Sequence, residues 1–353
     1  MAKRKRRLKK SVKRFLYLFI GIVVLICAFS NKNKSVSQLV DKVENITLKQ
    51  EEMFNTDKLY MALDSTLILD ADKIEISNDV LSIDDKTIHA NKVGTSKIKV
   101  IKDKKYDELE IVVTDIITNY QINNKNKLIC EQYSSEDEKL LEDILANQIE
   151  FYGTKTRAGV VAAARFLSLE FEYKLNYFYE NGRMTNNNQF DYCDGEGRYL
   201  HKGLYLSSND YKDIKQSRSG PQMWGCPMYE ETRKMNQNNG LDCSGFVTWA
   251  MYNAGYDIPD YGAGDLFDLG EKVYFTDDYA FEKVKVGDLV GKNGHVGILV
   301  GINDNKYYIA ESLDYDLHML VYSKDELKNS ELKFFVLMDD YYKEDGILTN
   351  FWN

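Results

Sequence analysis

The spacing of hydrophobic and polar positions changes several times along the chain. Residues 15–29, FLYLFIGIVVLICAF, carry no charge. As a helix they span about 22 Å, short of a bilayer core of roughly 30 Å. Residues 31–55 are polar, Pro-free and loosely helical in spacing, which predicts a stalk. Over 56–116 the period becomes two. Runs such as Lys97-Ile98-Lys99-Val100-Ile101 and Glu108-Leu109-Glu110-Ile111-Val112 alternate between Asp, Asn and Gly turns, predicting a small all-β sandwich. A polar linker occupies 117–133. From Ser134 the period is helical: Leu140, Leu141, Ile144, Leu145 and Ile149 share a face, with Ser134 or Ser135 as N-cap and acids in the first turn. The stretch TRAGVVAAARFLSLEFEYKL predicts a second helix, whose Ala162, Ala163 and Ala164 permit close packing. Residues 181–240, rich in Gly, Asn and aromatics, read as loops.

Two further patterns follow. Phe246, Val247, Ala250, Met251 and Ala254 recur at helical spacing and stop at Gly255, with Asp242 at the N-cap position. Beyond the turn GKNG, Val296, Ile298 and Val300 alternate with His295, Gly297, Leu299 and Gly301, which predicts a strand beginning at His295.

Charge adds a direction to this plan. The leader MAKRKRRLKKSVKR holds nine Lys/Arg and no acid, leaving 37 of the 46 basic residues against all 55 acidic ones. A body so acidic is not expected to offer nucleic acid a broad phosphate-neutralising surface. The leader and apolar run admit two readings. One is a signal peptide, with Ala28 and Ser30 as the small residues of a cleavage site. The other is a single membrane anchor over 15–30, its basic flank held in the cytoplasm. The long leader and bulky Phe29 favour the anchor, and Ile26 disfavours a lipoprotein reading through Cys27. Either way the C-terminal part is expected outside the cytoplasm.

Such a compartment permits disulfides, and the chain has five cysteines. Cys27 lies in the apolar run. Cys130, Cys193, Cys226 and Cys243 are scattered, and without a C-x-x-C spacing no structural zinc is expected. A Cys193–Cys226 bridge and two free thiols both remain open. No metal or cofactor is called for.

Cys243 is the chemically suggestive one. At the first position of a helix, unpaired N–H groups and the macrodipole favour a thiolate. A thiolate nucleophile needs a proton carrier, usually histidine. There are four histidines. His89 lies within the β segment and reads as an ordinary strand residue. His318, in DYDLHMLVYS, sits at a turn-to-strand boundary with no Gly or acid cluster beside it. His201 is possible. His295, flanked by glycines at a strand start, is open to a neighbouring helix end. If the next hairpin turn is centred on Asn303, Glu311 lies opposite His295 and Ile309 opposite Gly297. Glu311 would then orient the imidazole, unless the register changes by one residue.

The motifs LDCSGFVTWAMYNAG and VGDLV…GHVGILVG together resemble the NlpC-type papain-like peptidases that cut bacterial cell-wall peptides. The resemblance covers roughly 150–353. It implies an α+β papain-like fold in which a helix bearing the nucleophile packs on an antiparallel sheet. It makes Cys243 the nucleophile and His295 the base, with Asp242 and Ser244 as flanking motif residues. The third polar residue of the family falls at Ile309 or Glu311, and only Glu311 is competent. A tyrosine near the substrate amine corresponds to Tyr205 or Tyr229. The segment SNDVLSIDDKTIHANKVGTSKIKV resembles bacterial Ig-like domains. The whole is therefore expected to be multidomain: membrane helix, Ig-like sandwich over 56–116, and peptidase domain over 134–353. Its expected partners are peptidoglycan peptides, cut between γ-D-glutamate and a diamino acid, and the membrane through 15–30. An inactive wall-binding scaffold, or a thiol acyltransferase or amidase on the same fold, are the alternatives. Asp194 and Glu196, in DGEGRY, either meet a diamino-acid side chain or solvate a tight turn.

Overall fold

Period-two and period-3.6 segments fold into two kinds of layer. The computed structural model describes residues 48–119, 135–172, 175–177, 184–185, 204, 216–217, 240–259, 261–313 and 316–347. The apolar run at 15–30 lies outside them, and no described helix is long and apolar enough to cross a membrane. Residues Lys49–Asn353 form one unit.

The alternating segment forms two sheets. In one, Lys105–Thr114 pairs antiparallel with Gly94–Lys102, which pairs with Lys73–Ile76; Lys49–Gln50 and Lys58–Ala62 add to Lys105–Thr114 in parallel. The other orders Thr66–Ile68, Thr87–Ala90 and Leu81–Asp84. Inward residues of both, including Leu67, Ile88, Ile98, Val100, Leu109 and Ile111, share one core. His89 is half-buried, opposite Thr66 and Ser82.

This β unit does not stand apart from the helix that follows. Ser135–Tyr152 buries Leu141, Ile144, Leu145 and Ile149 as its spacing predicts. Phe151, however, belongs to the β-unit core and stacks on Phe54 at 5.4 Å. Asn147 Oδ1 accepts from the Tyr60 N–H, and its amide donates to the Lys58 carbonyl. The second helix runs Arg157–Arg165 from a Thr156 N-cap and then loosens into a π-helical turn, Phe166–Glu170. It ends well short of the expected Leu175, because the Phe171 N–H closes back on Phe166 O and the chain becomes extended.

The candidate site sits on an eight-stranded sheet. Its order is Gly240–Leu241, Asn176–Tyr177, Asp316–Ser323, Lys306–Leu313, His295–Asn303, Leu289–Lys292, Phe334–Leu337 and Glu271–Tyr274. Val296, Ile298, Val300 and Ala310 face the helices and join one core with Val160, Phe246, Val247 and Ala250. Val290, Leu299, Ile309 and Phe335 cover the opposite face with Leu327 and Leu332. The Cys243–Asn253 helix is buried from Cys243 to Met251, so it runs through the core, and it ends where Gly255 takes φ +98°.

One buried ion cluster ties this sheet to its flanks. Arg157, wholly buried, pairs with Asp288 at 2.5 Å, Asp339 at 2.5 Å and Asp345 at 3.1 Å. Asp288 also accepts from the Lys285 and Met338 N–H groups. A strand, a helix start and the C-terminal segment thus converge on one guanidinium, whose fork of donors suits several carboxylates.

Candidate active site

Asp242 makes Cys243 a helix start. Its backbone is extended (φ −80°, ψ −175°), and its carboxylate accepts from the Gly245 N–H at 2.8 Å and from Ser244 Oγ at 3.0 Å. The Asp242 carbonyl takes the Phe246 N–H. The first N–H groups of a helix have no intrahelical acceptor, so positive potential gathers there. Cys243 is a free thiol, 7% exposed. Just upstream, Leu241 O accepts from Ser312 Oγ at 2.6 Å. That bond pins the helix start to the strand carrying Glu311.

His295 reaches the same place from the sheet. It follows the two-residue turn Asn293-Gly294, in which Gly294 adopts φ +78°, a region open to glycine. The Gly294 carbonyl lies 3.9 Å from Cys243 Sγ. His295 Nε2 is 2.7 Å from Glu311 Oε2, so Nδ1 is the ring nitrogen left for the thiol, and Cys243 acts on the imidazole alongside Glu311. Burial would depress the imidazole. The bonds to Cys243 and Glu311 outweigh it and raise the ring to about 9. Burial would likewise push the Glu311 carboxyl up, but His295 and His318 hold it at about 2.

The contact between His295 and Glu311 arises from a register other than the expected one. Asp304 and Asn305, both left-handed at φ 47° and 60°, form the hairpin turn, and the ladder begins Asn303↔Lys306, Ile302↔Tyr307 and Gly301↔Tyr308. Continued unchanged, it would turn Glu311 to the face away from His295. An irregularity between Leu299 and Gly301 absorbs one residue, and beyond it Leu299 pairs with Ile309 and Ile298 with Ala310. Another step along brings Gly297, rather than His295, beside Glu311. His295 therefore meets the carboxylate on the diagonal. Gly297 leaves room for this: a Cβ there would lie 3.1 Å from Glu311 Cβ and 2.9 Å from Ala310 O.

His318 is the residue that sequence reasoning passed over. It stands directly across the ladder from Glu311, with Nε2 3.7 Å from Oε1. Its Nδ1 is 2.8 Å from Asp316 Oδ1. The expectation that no acid cluster stands beside it is thus corrected. Residues two apart on a strand share a face, so Asp316 was a legible partner, whereas Glu311 required the register of a second hairpin. Burial lowers His318, but Asp316 first and Glu311 next raise it to about 9.

His201, Tyr205, Tyr229, Asp194, Glu196, Cys130, Cys193 and Cys226 lie outside the described residues. Among the described residues no group of three or more His, Cys, Asp or Glu is arranged to hold a metal ion. The geometry presents a thiol at a helix start, an imidazole with one nitrogen towards it, and a carboxylate on the other nitrogen. Such a set can generate a nucleophile and carry its proton.

No curated protein matches the chain. A solved structure that does, described as the Resuscitation Promoting Factor Interacting protein RipA with one cysteine mutated, is 22% identical. The match covers 28% of this chain and 42% of that one, with a TM-score of 0.20. This chain therefore spans less than half the length of that relative. The model of the NlpC/P60 family matches residues 223–331, the span containing Cys243, His295, Glu311 and His318.

Proposed function

We propose that the protein is a cysteine endopeptidase that hydrolyses peptidoglycan stem peptides, with Cys243 as nucleophile, His295 as proton carrier and Glu311 as the group that orients it. The observation that carries this reading is Cys243 at a helix N-terminus, its thiol 3.9 Å from the carbonyl of Gly294, next to a His295 whose Nε2 is hydrogen-bonded to Glu311. The Cys243 thiolate attacks the amide carbonyl. The Cys243 N–H and a neighbouring donor stabilise the oxyanion, an effect of roughly 3–4 kcal/mol per donor. The His295 imidazolium gives its proton to the leaving amine as the C–N bond breaks and a thioester forms. Neutral His295 then takes a proton from water, hydroxide adds to the thioester, and the acid product leaves as the thiolate is restored. Asp242 and Ser244 hold the helix start, and Tyr205 or Tyr229 meets the substrate amine. The resemblance noted above supports a cut between γ-D-glutamate and a diamino acid.

The basic leader and the apolar run at 15–30 support a membrane anchor with the NlpC/P60 domain outside. The β unit, on its likeness to Ig-like domains, serves as a spacer. Its packing on Ser135–Tyr152 makes it a fixed one.

The test is to incubate the full-length protein, beside Cys243→Ala, with purified peptidoglycan and defined stem peptides and to identify products by mass spectrometry. New fragments with free amines, absent with the variant, are the expected result. Transfer to an added acceptor would instead identify an acyltransferase. Absence of products, with a Cys243 that resists alkylation near neutral pH, would leave a wall-binding scaffold.

A further inference from the structure

We propose that His318 is a positioning residue for this site: from the adjacent strand, and itself held by Asp316, it keeps the Glu311 carboxylate ionised and aimed at His295. The inference rests on the cysteine-peptidase reading, but its principal readout needs no peptide substrate.

Glu311 is 1% exposed. A carboxylate so buried stays charged only where its oxygens are matched by cations or donors. Its two oxygens are divided: Oε2 meets His295 Nε2 at 2.7 Å, and Oε1 faces His318 Nε2 at 3.7 Å. The two rings approach from the strands on either side, and His318 is directly opposite in the ladder. Asp316 fixes the far nitrogen of His318 at 2.8 Å. Charges then alternate in sign across three adjacent strands, from Asp316 through His318 and Glu311 to His295, and end at the thiol. The other ionisable groups nearby line a cavity of about 340 Å³ beside the pair: Lys292, which is ion-paired with Glu331, and Tyr322. Lys292 is thereby engaged elsewhere, which leaves His318 as the second cation on Glu311 among the described residues. His318 has no contact with the thiol and so acts through Glu311.

The experiment compares wild type, His318→Asn, His318→Lys and Asp316→Asn in the full-length protein. Iodoacetamide alkylation of Cys243 is measured across pH, and kcat and KM on a stem peptide are measured near neutrality. In His318→Asn the acid limb of alkylation moves up by about one pH unit, a tenfold change in the ratio of protonated to ionised Glu311. There kcat falls by roughly tenfold while KM stays within about twofold. His318→Lys, which restores the cation, returns the limb towards wild type. Asp316→Asn shifts it in the same direction as His318→Asn, but less. An unmoved limb in a folded His318→Asn protein overturns the proposal. So do equal shifts in the Asn and Lys variants, which would reduce His318 to packing. A His318-dependent limb in a protein that cleaves no stem peptide would sink the peptidase reading and leave the positioning role standing. A Cys243 that is not alkylated in wild type would overturn both.

Discussion

Glu311→Gln keeps the size of the side chain and removes one charge from the middle of the line that begins at Cys243. Glu311 is held at about 2 against an ordinary 4.5, so its stabilisation is present above pH 4.5 and lost as pH falls through about 2. His295 and His318 are raised to about 9 from 6.5. Their stabilisation is full below pH 6.5 and lost as pH rises through about 9. All three contributions therefore coexist between pH 4.5 and 6.5. A displacement of about 2.5 pH units corresponds to roughly 3 kcal/mol, and the attraction between Glu311 and His295, which enters both values, counts once. Near pH 5.5 the Gln variant should be about 3 kcal/mol less stable than wild type. The gap should narrow below pH 2, and again above pH 9 where both rings are neutral. The chemistry should follow the same charge. Without Glu311 the His295 ring loses one of the two groups that raise it, so fewer rings are charged at pH 7 and Cys243 alkylation there should slow. Denaturant midpoints for both proteins at pH 4–10, with alkylation rates on the same samples, test both statements. A stability difference that is flat with pH, or superimposable alkylation profiles, would refute the electrostatic account of this site.

Three other perturbations probe what holds the line in place. Gly297→Ala adds a Cβ 2.9 Å from Ala310 O and 3.1 Å from Glu311 Cβ. It should cost about 1–3 kcal/mol and lower kcat about tenfold by displacing Glu311; an unchanged kcat would show that the glycine is not needed for the diagonal contact. Arg157→Met strands the Asp288 carboxylate, whose side chain is 1% exposed, and should destabilise by about 3–5 kcal/mol. Adding Asp288→Asn, which can still accept from the Lys285 and Met338 N–H groups, should recover part of the loss in equilibrium unfolding. Ser312→Ala removes the bond to Leu241 O, with an expected cost of about 1 kcal/mol and slower Cys243 alkylation at neutral pH, read by mass spectrometry.

What the sequence makes legible is what depends on neighbours a few residues apart. The Ser135–Tyr152 face, the Asp242 N-cap and the Gly255 stop rest on helical spacing and on conformations that one residue type favours, and each lies where the pattern placed it. The limits of that reasoning show at Phe166–Glu170. There the apolar period continues, but the backbone changes to a π-helical turn whose closing bond, Phe171 N–H to Phe166 O, leaves no mark on composition. They show again at Phe151, which continues the helical pattern yet belongs to the core of the β unit. Periodicity reports that a face is buried and is silent about which layer buries it.

The site divides along the same line. Cys243 and His295 are each announced locally, one by an N-cap and the other by a glycine-flanked strand start. Bringing Glu311 to His295 depends instead on how two strands are offset, which turn and bulge decide jointly. A centre at Asn303 would put the pair directly opposite; the actual turn, Asp304-Asn305, taken alone would separate them onto different faces. The irregularity next to Val300 restores the shared face two residues from the expected pairing, and so the inferred contact forms by a different route. Side-chain direction in a strand alternates with period two, so an error of two residues preserves the face while an error of one destroys it. The same dependence hid His318. Its place opposite Glu311 follows from the next hairpin, whose connecting residues 314–315 lie outside those described. Charged groups that meet across strands are therefore best sought as sets of equal parity on neighbouring strands. Asp316 with His318, Glu311, and His295 form such a set here once the bulge is counted.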